Sequence, residues 1–277
     1  MKFPCSDKTV RNAVCVMGIP LDSNSSYRKG ASLAPARIRE RFFCNSANLW
    51  TETGVDLGSL DNLYDTGDVA WPSPEEAFES ITRAASRLLA DNNRLIALGG
   101  DHSVTFPLIR AHAQTYPDLN ILHLDAHPDL YDCLDKNPYS HASPFARIME
   151  KGLAGRLVQV GIRTINGHQR EQANRFGVEV HEMRSGMDAV NTLEFQGPVY
   201  LSIDLDCLDP AFAPGVSHHE PGGLTTRQVI DLIHNLDGHI IGGDIVEYNP
   251  ERDLNSVTGM VAAKLLKEMI SRIHDAR

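Results

Sequence analysis

The sequence has no run near the roughly 18 consecutive apolar residues that a membrane-spanning helix needs, so no span is expected. Its opening residues, Met1-Lys2-Phe3-Pro4-Cys5-Ser6-Asp7-Lys8, lack the apolar centre of a secretory signal. Cysteine is scarce and unpatterned. Cys5, Cys15, Cys44, Cys133 and Cys207 are odd in number and scattered, with no Cys-x-x-Cys pair. That argues against a disulfide framework or a thiolate zinc site and fits a reducing cytoplasm. Positive charge is also short, with 26 Lys and Arg against 36 Asp and Glu and a formal net charge of −10. Nucleic acid and anionic membranes are recognised by clustered Lys and Arg, so neither is expected as a partner. No Pro/Gly/Ser-rich linker, low-complexity tract or internal repeat divides the chain, which reads as one domain over residues 1–277.

What is present alternates. Short apolar runs recur at Ala13 to Met17, Arg94 to Leu98, Asn120 to Leu124, Leu157 to Val160, Val199 to Ile203 and His239 to Ile245. Each is too short for a helix, and most are bounded by Gly, Pro, Asn or Asp, as buried strands are. Their near-continuous apolarity predicts a parallel sheet covered by helices on both faces. Between them lie helical stretches. Ser73-Pro74-Glu75-Glu76 opens one toward Leu89, with a Ser N-cap and Pro in the first turn. Thr226 to Leu236 and Ser256 to about Ile273 are two more, the second with Val261, Leu265, Leu266, Met269 and Ile270 on one stripe. Strand and helix in alternation give either a closed barrel or a three-layer α/β/α sandwich with a mainly parallel sheet; the open sandwich is the reading adopted.

Chemistry is concentrated at three strand ends: Leu98-Gly99-Gly100-Asp101-His102-Ser103, Leu122-His123-Leu124-Asp125-Ala126-His127-Pro128-Asp129, and Ser202-Ile203-Asp204-Leu205-Asp206-Cys207-Leu208-Asp209-Pro210. Ligands of open α/β sheets bind beyond the carboxyl ends of the strands. Extended chain alternates its faces, so Asp125, His127 and Asp129 share one side, as do Asp204 and Asp206. Were the two sets to converge, four Asp carboxylates would repel one another unless cations, two if divalent, lay among them. A lone Asp after a strand is ordinarily a turn former or a helix cap, so the weight rests on the conjunction. Carboxylate and imidazole donors without thiolate suit Mn²⁺, and do not exclude Zn²⁺ or Fe²⁺. His123, deeper in its strand, is read as a satisfied core histidine, Cys207 as a packed thiol, and Asp101 as a support or loop cap.

These motifs resemble those of the ureohydrolases, the arginases and agmatinases. The resemblance runs from Gly18-Ile19-Pro20 and Ser25 to Arg39 through to Asp244-Ile245-Val246-Glu247-Tyr248-Asn249-Pro250. Tyr139 to Glu150 and Ala211 to Leu224 look most like plant-type arginases. The resemblance implies a binuclear manganese site, two Mn²⁺ per subunit. His102, Asp125, Asp129 and Asp204 would hold one ion. His127, Asp125, Asp204 and Asp206 would hold the other. It implies further that Glu247 grips a guanidinium and that His141 carries the proton to the leaving amine. The expected reaction is L-arginine to L-ornithine and urea, with agmatine the alternative substrate. Asn137 and Ser140 are candidates to bind the amino-acid end, with Lys136 able to add charge; His218 and His219 either line the entrance or merely sit in a loop, and the loop is the reading adopted. A single-zinc deacetylase-like hydrolase and a non-catalytic homologue are the rival classes. The resemblance also implies a homo-oligomer, trimer or hexamer.

Overall fold

The computed structural model describes residues 10–275, so the N-terminal reading and Cys5 lie outside the described residues. Eight strands form one parallel sheet: β1 (Val14–Gly18), β2 (Leu63–Asp68), β3 (Arg94–Leu98), β4 (Asn120–Leu124), β5 (Arg156–Ile162), β6 (Glu179–Glu182), β7 (Glu194–Asp204) and β8 (Asp237–Val246), in the order β2-β1-β3-β8-β7-β4-β5-β6. Seven helices accompany them: α1 (Ala34–Phe42), α2 (Ala77–Ala90), α3 (Thr105–Thr115), α4 (Pro144–Glu150), α5 (Gly167–Phe176), α6 (Thr226–Asn235) and α7 (Val257–Asp275).

The apolar runs are continuous because successive side chains enter two separate cores. Val14 and Val16 of β1, Ile96 and Leu98 of β3, and Leu122 and Leu124 of β4 pack with α1, α6 and α7. Cys15 and Met17, Leu95 and Ala97, and Ile121 pack on the other face with α2, α3 and α4. The result is the expected three-layer sandwich; the barrel alternative is excluded by the open edges at β2 and β6. Both edge strands escape the apolar-run reading, since β2 buries only Leu63 and β6 buries no residue.

Local signals act largely as expected. Thr225 and Gln228 form a capping box at the start of α6, each side chain bonding the other's backbone N–H. At α2 the detail differs. Pro74–Glu76 is a 3₁₀ turn, and the Ser73 hydroxyl bonds the Glu76 carboxylate at 3.3 Å instead of capping a backbone amide.

The order of strands places the ends of β3, β8, β7 and β4 side by side at the centre of the carboxyl rim. Two glycines make that rim possible. A Cβ on Gly100 would lie 1.7 Å from the carbonyl oxygen of Leu21, so the turn after β3 can approach this backbone only without a side chain. Gly161, at φ +97°, sits where the β5 register shifts and faces the carbonyl of Asp125.

Candidate metal centre and its cavity

His102 begins the 3₁₀ turn after β3 and is fully buried. Its Nε2 lies 3.1 Å from Ser202 Oγ, whose own proton goes to Asp244 Oδ1 at 2.6 Å. The hydroxyl therefore accepts from Nε2–H, which leaves Nδ1 as a bare lone pair. That lone pair lies 3.2 Å from Asp125 Oδ2, 3.1 Å from Asp129 Oδ2 and 3.2 Å from Asp204 Oδ2, yet makes a hydrogen bond to none of them. Four lone-pair donors pointing into one small gap are an arrangement that a cation satisfies. Two unit charges about 4 Å apart at an effective dielectric of 20 repel by about 4 kcal/mol, so the carboxylates need a positive partner.

A second group adjoins the first. His127 Nδ1 lies 3.0 Å from Asp206 Oδ2 and 3.4 Å from Asp125 Oδ1. Asp125 thus presents one oxygen to each group. Backbone amides fix the outward oxygens: His127 N–H donates to Asp125 Oδ1 at 2.6 Å, Asp206 N–H to Asp204 Oδ1 at 2.8 Å, and Ala126 N–H to Asp206 Oδ1 at 3.1 Å. The crowding displaces the titration of several members. Burial and the neighbouring Asp206 and Asp125 push the Asp204 carboxyl far above its usual range, and burial with Asp125 carries Asp206 up to about 6. His102 is driven upward against its burial by Asp125, Asp129 and Asp204. A bound cation would take the place of those protons.

The same residues do converge, but not through the alternation that the sequence suggests. β4 ends at Leu124, so Asp125, His127 and Asp129 lie beyond the strand, and Asp129 has φ +50°. Asp206 lies in the 3₁₀ turn Leu205–Cys207, which Asp204 caps. Turns and amide hydrogen bonds, rather than the pleat, converge these side chains.

His123 is the satisfied core histidine expected of it, although it also borders the site. Gln159 Nε2–H donates to its Nδ1 at 3.0 Å, and its Nε2–H donates to Asp125 Oδ2 at 2.8 Å. With both nitrogens committed it braces Asp125, close as it stands to the His102–Asp125 pair. Asp101 caps the 3₁₀ turn by accepting from Ser103 N–H, and holds Asn24 N–H at 2.9 Å. Cys207 is buried in the apolar core, its thiol pushed up by burial, Asp204 and Asp206.

Glu247 follows β8 with φ +60°, a left-handed conformation costly for a side chain and held here by its surroundings. Its Oε1 accepts from His102 N–H and from His141 Nδ1–H, both at 2.9 Å, while its buried Oε2 has no partner. Burial would depress the His141 imidazole, but Glu247 beside it carries it up to about 9.

The open oxygen belongs to a cavity of about 160 Å³ walled by Ser26, His127, Asp129, Tyr131, Leu134, His141, Ala142, Thr164, Gln169, Asp204, Asp206, His218 and Glu247. Four carboxylates and no Lys or Arg line it. Roomier hollows lie elsewhere, beside Phe78 and Tyr139 and beside Lys264 and Lys267, away from the ligand groups.

Of the residues expected at the substrate, Asn137 lies on the first of those outer hollows, bonded to Asn24 Oδ1 and to Tyr139 N–H. Ser140 is buried, its hydroxyl accepting from Ala142 N–H at 3.3 Å, and Lys136 is exposed. His218 lies in a loop and also lines the cavity, the alternative reading of it, stacked on His141 at 5.3 Å between ring centroids. His219 is a loop residue, exposed and bonded to Pro214 O. Sequence reasoning passed over Ser26, whose hydroxyl lies 2.8 Å from His141 Nε2. Its signal was the stretch from Ser25 to Arg39.

Known proteins resemble this chain in sequence and in fold. "Arginase 1, mitochondrial" of Arabidopsis thaliana is 47% identical over 274 residues, 93% of this chain and 80% of that protein. An agmatinase of Bacillus anthracis is 33% identical, covering 93% and 90%. The solved arginase of Medicago truncatula superposes with a TM-score of 0.89 at 43% identity, over 96% of this chain and 89% of that one. The model of the arginase family matches residues 12–271, which includes every strand and every ligand candidate above. With the rim geometry and the match both in hand, this chain belongs to the arginase family.

Proposed function

We propose that this chain hydrolyses a guanidino C–N bond to release urea, with L-arginine as substrate. The observation that carries the reading is Glu247 Oε2: a buried carboxylate oxygen without a partner, in a cavity lined by four acids and no Lys or Arg. Such an oxygen suits a guanidinium, whose planar N–H fork binds carboxylate strongly.

His102, Asp125, Asp129 and Asp204 would hold one divalent ion, and His127, Asp125, Asp204 and Asp206 a second. Manganese suits these oxygen and imidazole donors. When bound, a pair of such ions supplies a water acidic enough to attack at neutral pH. The chain's own side chains do the rest. Glu247 grips the substrate and turns the guanidinium carbon toward the ligand groups. His141, its Nδ1–H held by Glu247, delivers as the imidazolium a proton from Nε2 to the departing nitrogen. Tyr131, Leu134 and the half-buried His218 wall the slot against bulk water. In this reading Asn137 and Ser140 shape the loop that presents His141, and Thr164 and Gln169 meet the amino-acid end.

The likeness to plant arginases favours arginine. One observation favours agmatine instead: no Lys or Arg on the cavity wall answers an α-carboxylate. Parallel assays of urea release from arginine, agmatine and guanidinobutyrate, and of formamide release from formiminoglutamate, separate these readings. Turnover of arginine above the others supports the proposal; inertness toward every guanidino compound refutes it.

Self-association into trimers or hexamers belongs to the same reading and is read by light scattering. Among the described residues no helix is long and apolar enough to cross a membrane. Cys44, Cys133 and Cys207 are free thiols, which fits a reducing compartment, while the relative named mitochondrial gives no support to the narrower cytoplasmic expectation.

A further inference from the structure

His141 has one nitrogen to spare. Nδ1–H is committed to Glu247 Oε1, so every proton the ring gains or gives must pass Nε2. His141 is only 8% exposed, and His218 stacks on its face. Ser26, by contrast, is exposed, lies on the cavity wall and sets its hydroxyl 2.8 Å from Nε2.

The contact is built, because the loop carrying Ser26 is pinned on both sides. Asn24 N–H donates to Asp101 Oδ2 at 2.9 Å, and the Asn24 carbonyl accepts from His141 N–H at 3.2 Å. After Ser26, Gly30 N–H donates to Asp22 Oδ2 at 2.8 Å. Ser26 and His141 are thereby tied through backbone as well as side chain.

We propose that Ser26 is the proton relay of His141, linking its Nε2 to bulk solvent; this rests on the guanidino hydrolysis proposed above. A hydroxyl suits the position because it accepts from Nε2–H of the imidazolium and donates to Nε2 of the neutral ring. In each turnover the C–N bond breaks with its electron pair passing to the departing nitrogen, which takes the proton from Nε2. The neutral ring then takes the Ser26 hydroxyl proton as the oxygen takes one from a solvent or buffer acid. Ser26 ends as it began. It acts through His141 and touches no reacting atom of the substrate.

The test compares the manganese-loaded wild-type protein with Ser26→Ala and Ser26→Thr. General acid–base steps contribute about 10²–10⁴ in rate, and slowing the reloading of the acid is expected to lower kcat about tenfold in Ser26→Ala with KM little changed. Raising the concentration of a small proton-carrying buffer, 2-methylimidazole, at constant pH and ionic strength restores that loss and leaves wild type unaffected. Ser26→Thr keeps the hydroxyl and near-normal kcat, which shows that the loop tolerates substitution. An unchanged kcat in Ser26→Ala, or a loss insensitive to buffer, overturns the relay while the reaction stands. A wild-type protein inert toward all guanidino compounds brings down the reaction and the relay together.

Discussion

Replacing Glu247 by glutamine removes one charge and almost no volume, and the surrounding hydrogen bonds dictate how the amide must sit. Oε1 of Glu247 accepts from His102 N–H and His141 Nδ1–H, each at 2.9 Å. Only the amide oxygen can take that position, so the amide NH₂ is forced to the place of Oε2 and faces the cavity. A donor then meets the donors of the guanidinium. Breaking one side of a buried ion pair costs about 3–5 kcal/mol, which at about 1.4 kcal/mol per tenfold is roughly a hundred- to several-thousand-fold in kcat/KM. Both internal hydrogen bonds survive, so the fold and the metal content are expected to match wild type. Initial rates of urea release, with metal analysis and a denaturation curve on the same preparation, read all three. A Glu247→Gln protein within about fivefold of wild-type kcat/KM would refute the assignment of Glu247 as the guanidinium clamp.

Asp244, fully buried, accepts the hydroxyls of Thr105, Tyr200 and Ser202, and through Ser202 it orients His102. Asp244→Ala strands these donors, which predicts a stability loss of roughly 3–5 kcal/mol in chemical denaturation and about 10–100-fold weaker metal binding in a competition titration. His218→Ala removes the ring stacked on His141 and should raise KM severalfold, whereas His218→Phe keeps the stacking and the KM; equal KM values in both variants argue against a walling role. Burial holds the His112 imidazole down to about 4 from 6.5. Between those values the unfolded chain takes up a proton that the folded chain refuses, so this group costs stability as pH falls from 6.5 to 4, by at most ~3 kcal/mol. His112→Phe should therefore lose less stability than wild type between pH 7.5 and 4.5, and parallel loss in the two proteins contradicts this.

The central strands were legible because both faces of each are buried, which writes an apolar run into the sequence. β2 and β6 were not, because edge strands keep polar residues: Leu63-Tyr64-Asp65-Thr66-Gly67-Asp68 and Glu179-Val180-His181-Glu182 each face solvent on one side. The ligand candidates were legible as a conjunction of acids and histidines at three strand ends. Their true geometry was not, since a period-two argument holds only inside a strand and these side chains sit in turns shaped by a left-handed Asp129 and by amide-to-carboxylate hydrogen bonds. Ser26 and His218 come from loops whose contact with His141 is made by tertiary packing. A sequence window holds Ser26 and His141 more than a hundred positions apart, and nothing in either window announces the other.

The central claim is that Asp125, Asp129, Asp204 and Asp206 can share the rim with His102 and His127 only because cations lie among them. Stepwise chelation of the purified protein, with metal per chain and urea release followed on the same samples, tests this most directly. The account predicts two manganese ions per chain in the active protein, activity that falls as they leave, and recovery when manganese is returned. Full turnover by a chain stripped of its metal by exhaustive chelation would contradict it.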